Sequence, residues 1–192
     1  MNHLGTVQLE TERLILRRFT MDDAEAVFLN WASDDEVTRY LTWPTHQNVT
    51  VSQAYMDYCT KGYDNQAFYQ WGIELKNSHE LIGNISVVKV IDEIASIELG
   101  WAIGKKYWGY GYTAEAGLKL IDFFFDQVKA KRICARHDVN NPNSGRVMQK
   151  IGMKYEGILR QSGRNNQGIV DMANYSILKS DRQDSADNIQ IQ

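Results

Sequence analysis

Two glycines separated by one residue are the first feature of the sequence that points to a chemical function. Gly109 and Gly111 lie in the segment KYWGYG, residues 106–111, between a predicted strand and a predicted helix that starts at Thr113. Consecutive backbone N–H groups in such a loop form a concave anion site, and the helix N-terminus adds roughly half a positive charge. We therefore expect a phosphate or pyrophosphate here, with Lys106 as a further positive charge.

The same loop also fits the dinucleotide-binding fingerprint, as Gly109-x-Gly111-x-x-Ala114, and Asp138 ends the next strand where a ribose-binding acid would stand. Three observations weigh against this reading. Five residues, starting at Gly104, separate the strand from the first glycine, and Asp138 lies further on than the usual ~20 residues. Only about fifty residues follow Asp138, too few for the rest of a doubly wound sheet. A plain strand-to-helix turn is the remaining alternative.

Composition narrows the class of protein. The chain has 192 residues, 43% of them hydrophobic, and a net charge of −3, which fits one domain and argues against a nucleic-acid partner. No apolar run is long enough to span a membrane, and the start lacks a signal peptide, so a cytoplasmic location is expected. Cys59 and Cys134 are expected to be reduced, and the histidine spacing predicts no metal site.

Hydrophobic periodicity divides the chain into a domain over residues 1–180 and a polar tail over 181–192. The first predicted strand covers residues 9–17, and a helix capped by Thr20 follows. That helix is expected to carry Ala24, Val27, Phe28 and Trp31 at helical spacing. Two further helices are predicted over 35–40 and 51–61, the latter with Ala54, Tyr55 and Tyr58 on one face.

The second part of the chain alternates strands and helices. Strands over 69–75, 81–90 and 95–103 are expected to form an antiparallel meander, because their connections are too short for crossover helices. A helix is predicted over 113–128, with one apolar stripe formed by Ala114, Leu118, Ile121, Phe125 and Val128. A strand over 132–139 and a helix over 144–151, ended by Gly152, follow. The last predicted strands cover 153–161 and 169–178. The unit over 95–139 should place two parallel strands side by side, so the fold class is α+β with a mixed, largely antiparallel sheet.

Two segments together resemble the GNAT superfamily of N-acetyltransferases. The strand IELGWAI, residues 97–103, and the loop from Lys106 to Gly111 are similar to its signature Arg/Gln-x-x-Gly-x-Gly/Ala. Lysine in the first position keeps the charge but loses the bidentate fork of arginine. The segment NPNSGRVMQKIGM, residues 141–153, resembles the family's Asn-x-x-Ser…Lys-x-Gly-Phe segment. Residues 9–17 and 155–157 look like the Rim-type branch, which acetylates the N-termini of ribosomal proteins.

The resemblance implies acetyl-CoA as donor and a single domain whose sheet splays into a V-shaped cofactor slot, flanked by helices. Pantetheine would lie in this slot like an added strand and bond to the backbone of Trp101 and Ile103. Asn141 would bond the pantetheine arm from the neighbouring strand's end. The cofactor-binding residues it implies are Trp101, Ile103, Lys106, Trp108, Gly109, Tyr110, Gly111, Tyr112, Thr113, Asn141 and Ser144.

The resemblance also indicates catalytic candidates. Glu98, on the strand before the loop, is the candidate general base, and an ordinary ion pair or exposed strand carboxylate is the alternative. The wider family often uses a tyrosine acid on the helix after Asn141, but Met148 occupies that position and cannot donate a proton. Ser144 is the substitute by position, and a simple helix N-cap is its alternative role.

The acceptor is the least defined part of the prediction. Trp43, Tyr40 and Trp71 are candidate substrate-binding residues, Trp31 is expected in the core, and the acidic residues 34–36 could attract a cationic amine. The predicted reaction transfers acetyl from acetyl-CoA to a primary amine in a ternary complex. Protein N-termini, aminoglycosides and polyamines all remain open as acceptors. The alternatives are a non-catalytic acyl-CoA sensor and a nucleotide-binding module, and a homodimer through the late strands is compatible with the sequence.

Overall fold

An eight-stranded sheet forms the centre of the protein, in a computed structural model that describes residues 1–182. The strands are β1 (Leu9–Glu10), β2 (Leu14–Arg17), β3 (Gln70–Leu75), β4 (Leu81–Ile91), β5 (Ser96–Ile103), β6 (Arg132–Asp138), β7 (Lys154–Asn165) and β8 (Gly168–Leu178). Their spatial order is β1-β2-β3-β4-β5-β6-β8-β7. Every neighbouring pair is antiparallel except β5 and β6, which are parallel. The predicted α+β class and largely antiparallel sheet are confirmed.

Helices cover both faces of this sheet. They are α1 (Ala24–Val27), α2 (Asp35–Thr38), α3 (Val49–Gly62), α4 (Tyr112–Phe123) and α5 (Pro142–Lys150). Wider π-helical turns extend α1 over Phe28–Ala32 and α4 over Phe124–Val128. Successive residues of a strand point to opposite faces. Ile97 and Leu99 accordingly join the core cluster that contains α4, whereas Ala102 joins the cluster that contains α1 and α3.

The predicted single strand over 9–17 is wrong, because a turn at residues 11–13 breaks it into β1 and β2. The two short strands pair antiparallel, with Leu9 opposite Leu16. The Thr11 hydroxyl accepts the N–H of Leu14 at 2.9 Å, a local side-chain bond that competes with a continuous strand.

Two predicted helix faces also differ from the structure. In α3 the buried residues are Ser52, Met56 and Cys59, whereas Tyr58 is 57% exposed. The buried stripe starts at a polar residue because the Ser52 hydroxyl lies 2.8 Å from Nδ1 of His46. In α4, Leu118 is 48% exposed although the other residues of the predicted stripe are buried.

The end of the described chain carries a long β-hairpin. Helix α5 begins at Pro142, two residues earlier than predicted, and β7 continues to Asn165, past the predicted end at residue 161. Strand β7 is the outer strand of the sheet and exposes Ile158 and Leu159, on the surface where the sequence allows a homodimer. Of the predicted tail, residues 183–192 lie outside the described part. Within residues 1–182, no helix is long and apolar enough to cross a membrane.

Parallel pairing between β5 and β6 is short. Only Ser96, Ile97 and Glu98 pair, with Arg132, Ile133 and Cys134. Beyond Glu98 the two strands separate, while β5 stays paired with β4 as far as Ile103 and β6 stays paired with β8 as far as Asp138. The sheet therefore opens into a V-shaped slot, as the resemblance implied.

A partly buried charge cluster joins β2, β3 and the turn before α1. The Arg17 guanidinium donates to both oxygens of Asp23, at 2.8 and 2.9 Å, and also to Glu74. Burial would raise the pKa of Asp23 and of Glu74, but the hydrogen bonds from Arg17 lower both below their ordinary values. Because their folded pKa values are depressed, the two carboxylates stabilise the fold above about pH 4.5, and this stabilisation is lost as pH falls through the lowered values.

Arg17→Met should destabilise the protein by roughly 3 kcal/mol at pH 7, because it leaves two buried carboxylates without their shared cation. The difference from wild type should shrink between pH 5 and pH 3, as the uncompensated carboxylates become protonated. Urea denaturation of both proteins at pH 7, pH 5 and pH 3 measures the difference in the free energy of unfolding. Arg160→Met, at an exposed position without a side-chain partner among the described residues, is the control and should change little. A loss below 1 kcal/mol for Arg17→Met at pH 7 would contradict the assignment.

Candidate active site

The slot between β5 and β6 exposes backbone hydrogen-bonding groups along one edge of β5. The N–H of Gly104 donates to Ile82 in β4 at 2.9 Å. Because hydrogen-bonding directions alternate along an antiparallel pair, the N–H and C=O groups of Ile103 and Trp101 point away from β4 and into the slot. An extended ligand arm could therefore pair with β5 as an additional strand would.

One of these backbone groups is already engaged by a side chain. The Trp108 indole N–H donates to the Ile103 carbonyl at 2.8 Å. A ligand arm that uses this carbonyl must share it with the indole or displace it. Trp108 is thus placed beside the slot, as the resemblance implied, while its effect on a bound cofactor remains a prediction.

The glycine loop forms the cradle that the sequence predicts. Gly109 and Gly111 have φ values of 85° and 82°, in the left-handed region that favours glycine. Among residues 1–182, no protein acceptor is found for the N–H groups of residues 109–114, and the last three belong to the first turn of α4. A Cβ at Gly109 would meet nothing within 4 Å, so the space above this loop is open to a ligand. Free donors, open space and the helix dipole together suit a pyrophosphate.

Arg13 braces this loop from the turn between β1 and β2 and was not identified from the sequence. Its guanidinium donates to the Tyr110 carbonyl at 3.1 Å and to Glu115 at 2.6 Å, and it lies 4.5 Å from the centre of the Tyr112 ring. Burial would raise the pKa of Glu115, but hydrogen bonds from Thr11 and Arg13 lower it, so the carboxylate stays charged. Arg13 lies ninety-three residues before Lys106, at the start of the loop, so no local sequence pattern could have shown this contact.

The other predicted loop residues lie around the same cradle. Tyr110 and Tyr112 stack with ring centres 5.7 Å apart, and Thr113 is buried at the second position of α4. The Lys106 ammonium lies 3.3 Å from a Glu80 oxygen, and its pKa is raised by the hydrogen bond to that carboxylate. Lys106 must leave Glu80 before it can contact a phosphate, so its predicted role needs a change of side-chain conformation.

The end of β6 brings Asn141 and Ser144 together. The Asn141 side-chain amide donates to the Ser144 hydroxyl oxygen at 3.1 Å. The alternative role of Ser144 as a helix N-cap is wrong, because Asn141 occupies that position and Ser144 lies in the first turn of α5. Met148 is 1% exposed and belongs to the larger core cluster, so the position where relatives often carry an acid is closed to the slot.

Glu98 stands at the point where the strands separate. Its Oε1 accepts a hydrogen bond from Nε of Arg136 in β6 at 2.9 Å, and its side chain is 16% exposed. The ion pair expected as the alternative role is therefore present. Within the described residues no donor reaches Oε2, which leaves one carboxylate oxygen for another partner. Cys134 lies beside Glu98 in the strand register, and burial together with the Glu98 charge raises the pKa of its thiol.

The tip of the β7–β8 hairpin is bound to the loop after α2. The Asn166 side-chain amide donates to the carbonyls of Thr38 and Trp43, and its backbone N–H donates to Leu41. Tyr40 lies in this loop, and Trp43 is partly buried with its ring centre 5.2 Å from that of His46. The candidate acceptor residues Tyr40 and Trp43 thus lie where the loop and the hairpin tip meet.

Trp71 does not belong to this group. Its side chain is fully buried in the larger core cluster and stacks with Tyr69, while its indole N–H donates to the Val7 carbonyl at 2.7 Å. The alternation along β3 turns Trp71 toward α4, so the expectation that it lines the acceptor cleft is corrected. Trp31 is 1% exposed, which confirms its expected place in the core.

Residues 13–154 match the family model described as "Acetyltransferase (GNAT) domain", and the chain belongs to this family. The uncharacterized N-acetyltransferase YoaA of Bacillus subtilis (strain 168) is 34% identical over 171 residues, which cover 89% of this chain and 96% of YoaA. The protein is therefore an N-acetyltransferase, as the loop and the segment after β6 indicated.

Solved structures share the fold over nearly the whole chain. A GNAT-family acetyltransferase from Bacillus anthracis has a TM-score of 0.79 and 28% identity, covering 91% of this chain and 99% of its own. The Microcin C7 self immunity acetyltransferase MccE, solved in complex with acetyl-CoA and AMP, has a TM-score of 0.79 at 20% identity and covers 88% of this chain and 93% of its own. At that identity the likeness to MccE concerns the fold alone.

Gly111→Val should abolish acetyl-CoA binding while the protein stays folded. The left-handed backbone at φ 82° strains a branched residue by about 1–2 kcal/mol, and its Cβ would lie 3.8 Å from Nη2 of Arg13, which braces the loop. Calorimetric titration and thermal shift with acetyl-CoA measure the effect, since a ligand of the folded state raises the melting temperature. Gly157→Val, at φ 134° on the outer strand β7, carries similar strain and should bind acetyl-CoA normally. Normal binding by the Gly111 variant would refute the cradle.

Arg13→Gln should weaken acetyl-CoA binding about tenfold, because it removes the contacts that hold Tyr110 and Glu115 in place. Turnover at saturating acetyl-CoA should stay near wild type. Arg13→Lys should restore only part of the affinity, because a point charge cannot replace the planar fork that reaches both partners. If both variants bind acetyl-CoA as tightly as wild type, Arg13 does not shape the loop.

Proposed function

We propose that this protein transfers an acetyl group from acetyl-CoA to the α-amine of a peptide or protein N-terminus, by direct attack in a ternary complex. The observation that carries the proposal is the slot between β5 and β6, with the glycine cradle at its far end and Glu98 where the strands separate. From Glu98 to Ile103 the strand rises about 17 Å, so one extended ligand could reach from the cradle to the carboxylate. Family membership supports acetyl-CoA as that ligand.

Direct attack is supported by the state of the cysteines. A covalent acetyl-enzyme would need a thiolate nucleophile near the slot. Burial and the neighbouring Glu98 charge raise the pKa of Cys134, and burial raises the pKa of Cys59 to about 12. Both thiols are therefore protonated near pH 7, and the amine itself is the better nucleophile.

Glu98 is proposed to receive the proton of the attacking amine through its free Oε2. Arg136 holds the carboxylate from the neighbouring strand β6 and leaves Oε2 for another partner. A carboxylate is a much weaker base than an amine. Such a base suits an amine that loses its proton readily. An α-amine has a pKa of about 7.7–8.0, whereas a lysine ε-amine has a pKa of about 10.4. The use of a carboxylate as base therefore favours an N-terminus, in agreement with the resemblance of residues 9–17 to the Rim-type branch.

Ser144 is proposed to assist the leaving thiolate. Its oxygen accepts the Asn141 amide at 3.1 Å, which leaves the hydroxyl proton free for donation. Because Met148 is closed off in the core, the hydroxyl of Ser144 is the group on the first turn of α5 that can take the place of the missing acid. Asn141 would act by orienting this hydroxyl.

Thiol release with two acceptor peptides tests the proposal. One peptide carries a free α-amine and no lysine, and the other has a blocked N-terminus and one lysine. At pH 7 the α-amine peptide should react a few hundred times faster, the ratio of the neutral amine fractions, and the ratio should fall toward pH 9. Equal rates at pH 7 would refute the α-amine preference. Binding of acetyl-CoA without transfer to any amine would instead indicate a non-catalytic acyl-CoA domain.

Glu98→Gln should lower kcat/KM for the α-amine peptide by about 10²-fold at pH 7, with unchanged acetyl-CoA affinity. The loss should decrease as pH rises, because more amine is already neutral. Arg136→Gln keeps the carboxylate but loosens it, so its loss should be smaller. Near wild-type turnover of Glu98→Gln at pH 7 would show that the amine is deprotonated by bulk water and that positioning alone carries the reaction.

A further inference from the structure

An open depression lies where the β7–β8 hairpin tip meets the loop after α2. Its volume is about 630 Å³, and the residues that line it are Thr42, Arg164, Asn165, Asn166 and Gly168. Arg164 is the charged residue of this set. The depression therefore offers a positive charge and polar groups, without a carboxylate in its wall.

Arg164 has no acidic partner among residues 1–182, and its side chain is exposed. Arg136 of β6, in contrast, is paired with Glu98. The amides beside Arg164 are also occupied, since Asn165 donates to Asp138 and Asn166 donates to the Trp43 carbonyl. These bonds fix the hairpin tip in place, so the unpaired guanidinium is held at the wall of the depression by a rigid support.

The acidic residues 34–36, which could have attracted a cationic acceptor, each bind another group of the protein. Asp34 caps α2 by accepting the N–H of Glu36, Asp35 accepts the Thr45 hydroxyl, and Glu36 pairs with Lys105. The suggestion from the sequence that this cluster draws in a cationic amine is therefore not supported by its contacts. Two arginines of this region have no acidic partner among residues 1–182: Arg39, whose guanidinium lies 5.4 Å from the centre of the Tyr40 ring, and Arg164, which lines the depression.

The distance from Glu98 to the hairpin tip fits a short stretch of peptide. Glu98 lies opposite Cys134 in the strand register. Asp138 lies four residues after Cys134 along β6, which is a distance of about 13 Å between the two residues. The Asp138 carboxylate accepts the Asn165 side chain at 2.8 Å, which places the tip at this end of the slot. An extended chain of about four residues spans such a distance.

We propose that Arg164 makes this protein selective for amino termini that carry an acidic side chain at about the fourth residue. This inference rests on the proposed function. The α-amine would lie at Glu98, the chain would follow the slot's acceptor side toward the hairpin, and the carboxylate would meet the guanidinium. Arginine suits this task because its planar fork can bind both oxygens of a carboxylate.

Three peptides test the selectivity, identical except for Glu, Gln or Arg at the fourth position, each with one α-amine, no lysine and an amidated C-terminus. Wild type should show kcat/KM about tenfold higher for the Glu peptide than for the Gln peptide, and lowest for the Arg peptide. The preference should weaken at high salt, since the depression is open to solvent. Arg164→Gln should remove the preference while keeping the rate with the Gln peptide.

Arg160→Gln, on the same strand but outside the depression, is the matched control and should keep the full preference. A preference for Glu that survives in Arg164→Gln, or equal rates in wild type, would overturn the inference. A small amino carboxylate that is acetylated in an Arg164-dependent way in place of the peptides would also overturn it. Acetylation of the Gln peptide reports on the proposed function separately, because that peptide has no charge for Arg164 to recognise.

Discussion

Backbone N–H and C=O groups must find partners, and a sheet normally supplies them from the adjacent strand. In this protein β5 and β6 are no longer paired with each other after Glu98, although both strands continue for several residues. Water can reach the unpaired N–H and C=O groups of β5 because the slot is open, and an extended ligand could pair with the same groups. The separation needs support on both sides. Strand β4 holds β5 as far as Ile103, and β8 holds β6 along its whole length.

The cradle depends on the same geometry. Strand β5 ends at Ile103, and the chain needs a tight turn at Lys105–Tyr107 before Gly109 and Gly111 can redirect it into α4. The first turn of α4 thereby faces the open end of the slot, where its free N–H groups add to those of the loop. Arg13 reaches this loop from the turn before β2, a strand three places away from β5 in the sheet, so a contact with the start of α4 helps to shape a site built around β5.

Local sequence patterns predicted most of the architecture. The short connections around β3, β4 and β5 predicted the meander, and the strand–helix–strand unit predicted the parallel pair. Features set by long-range packing were missed. The side of β3 that Trp71 occupies, the buried stripe of α3 and the Arg13 brace all depend on partners distant in the sequence. Residue type alone makes Trp71 look like a binding residue, although its large apolar surface stabilises the core.

For the catalytic candidates, the contacts that each side chain makes matter as much as its residue type. Glu98 lies where β5 and β6 separate and Ser144 lies in the first turn of α5, and each contacts a neighbour, Arg136 or Asn141. Those contacts hold the side chains in place, which favours positioning. A site of this kind contributes most when the acceptor amine is nearly neutral and needs mainly to be oriented. The proposed acceptor, an α-amine delivered by an extended chain, rests on Glu98 as the base, on Met148 at the position of the acid and on the guanidinium of Arg164 in the depression.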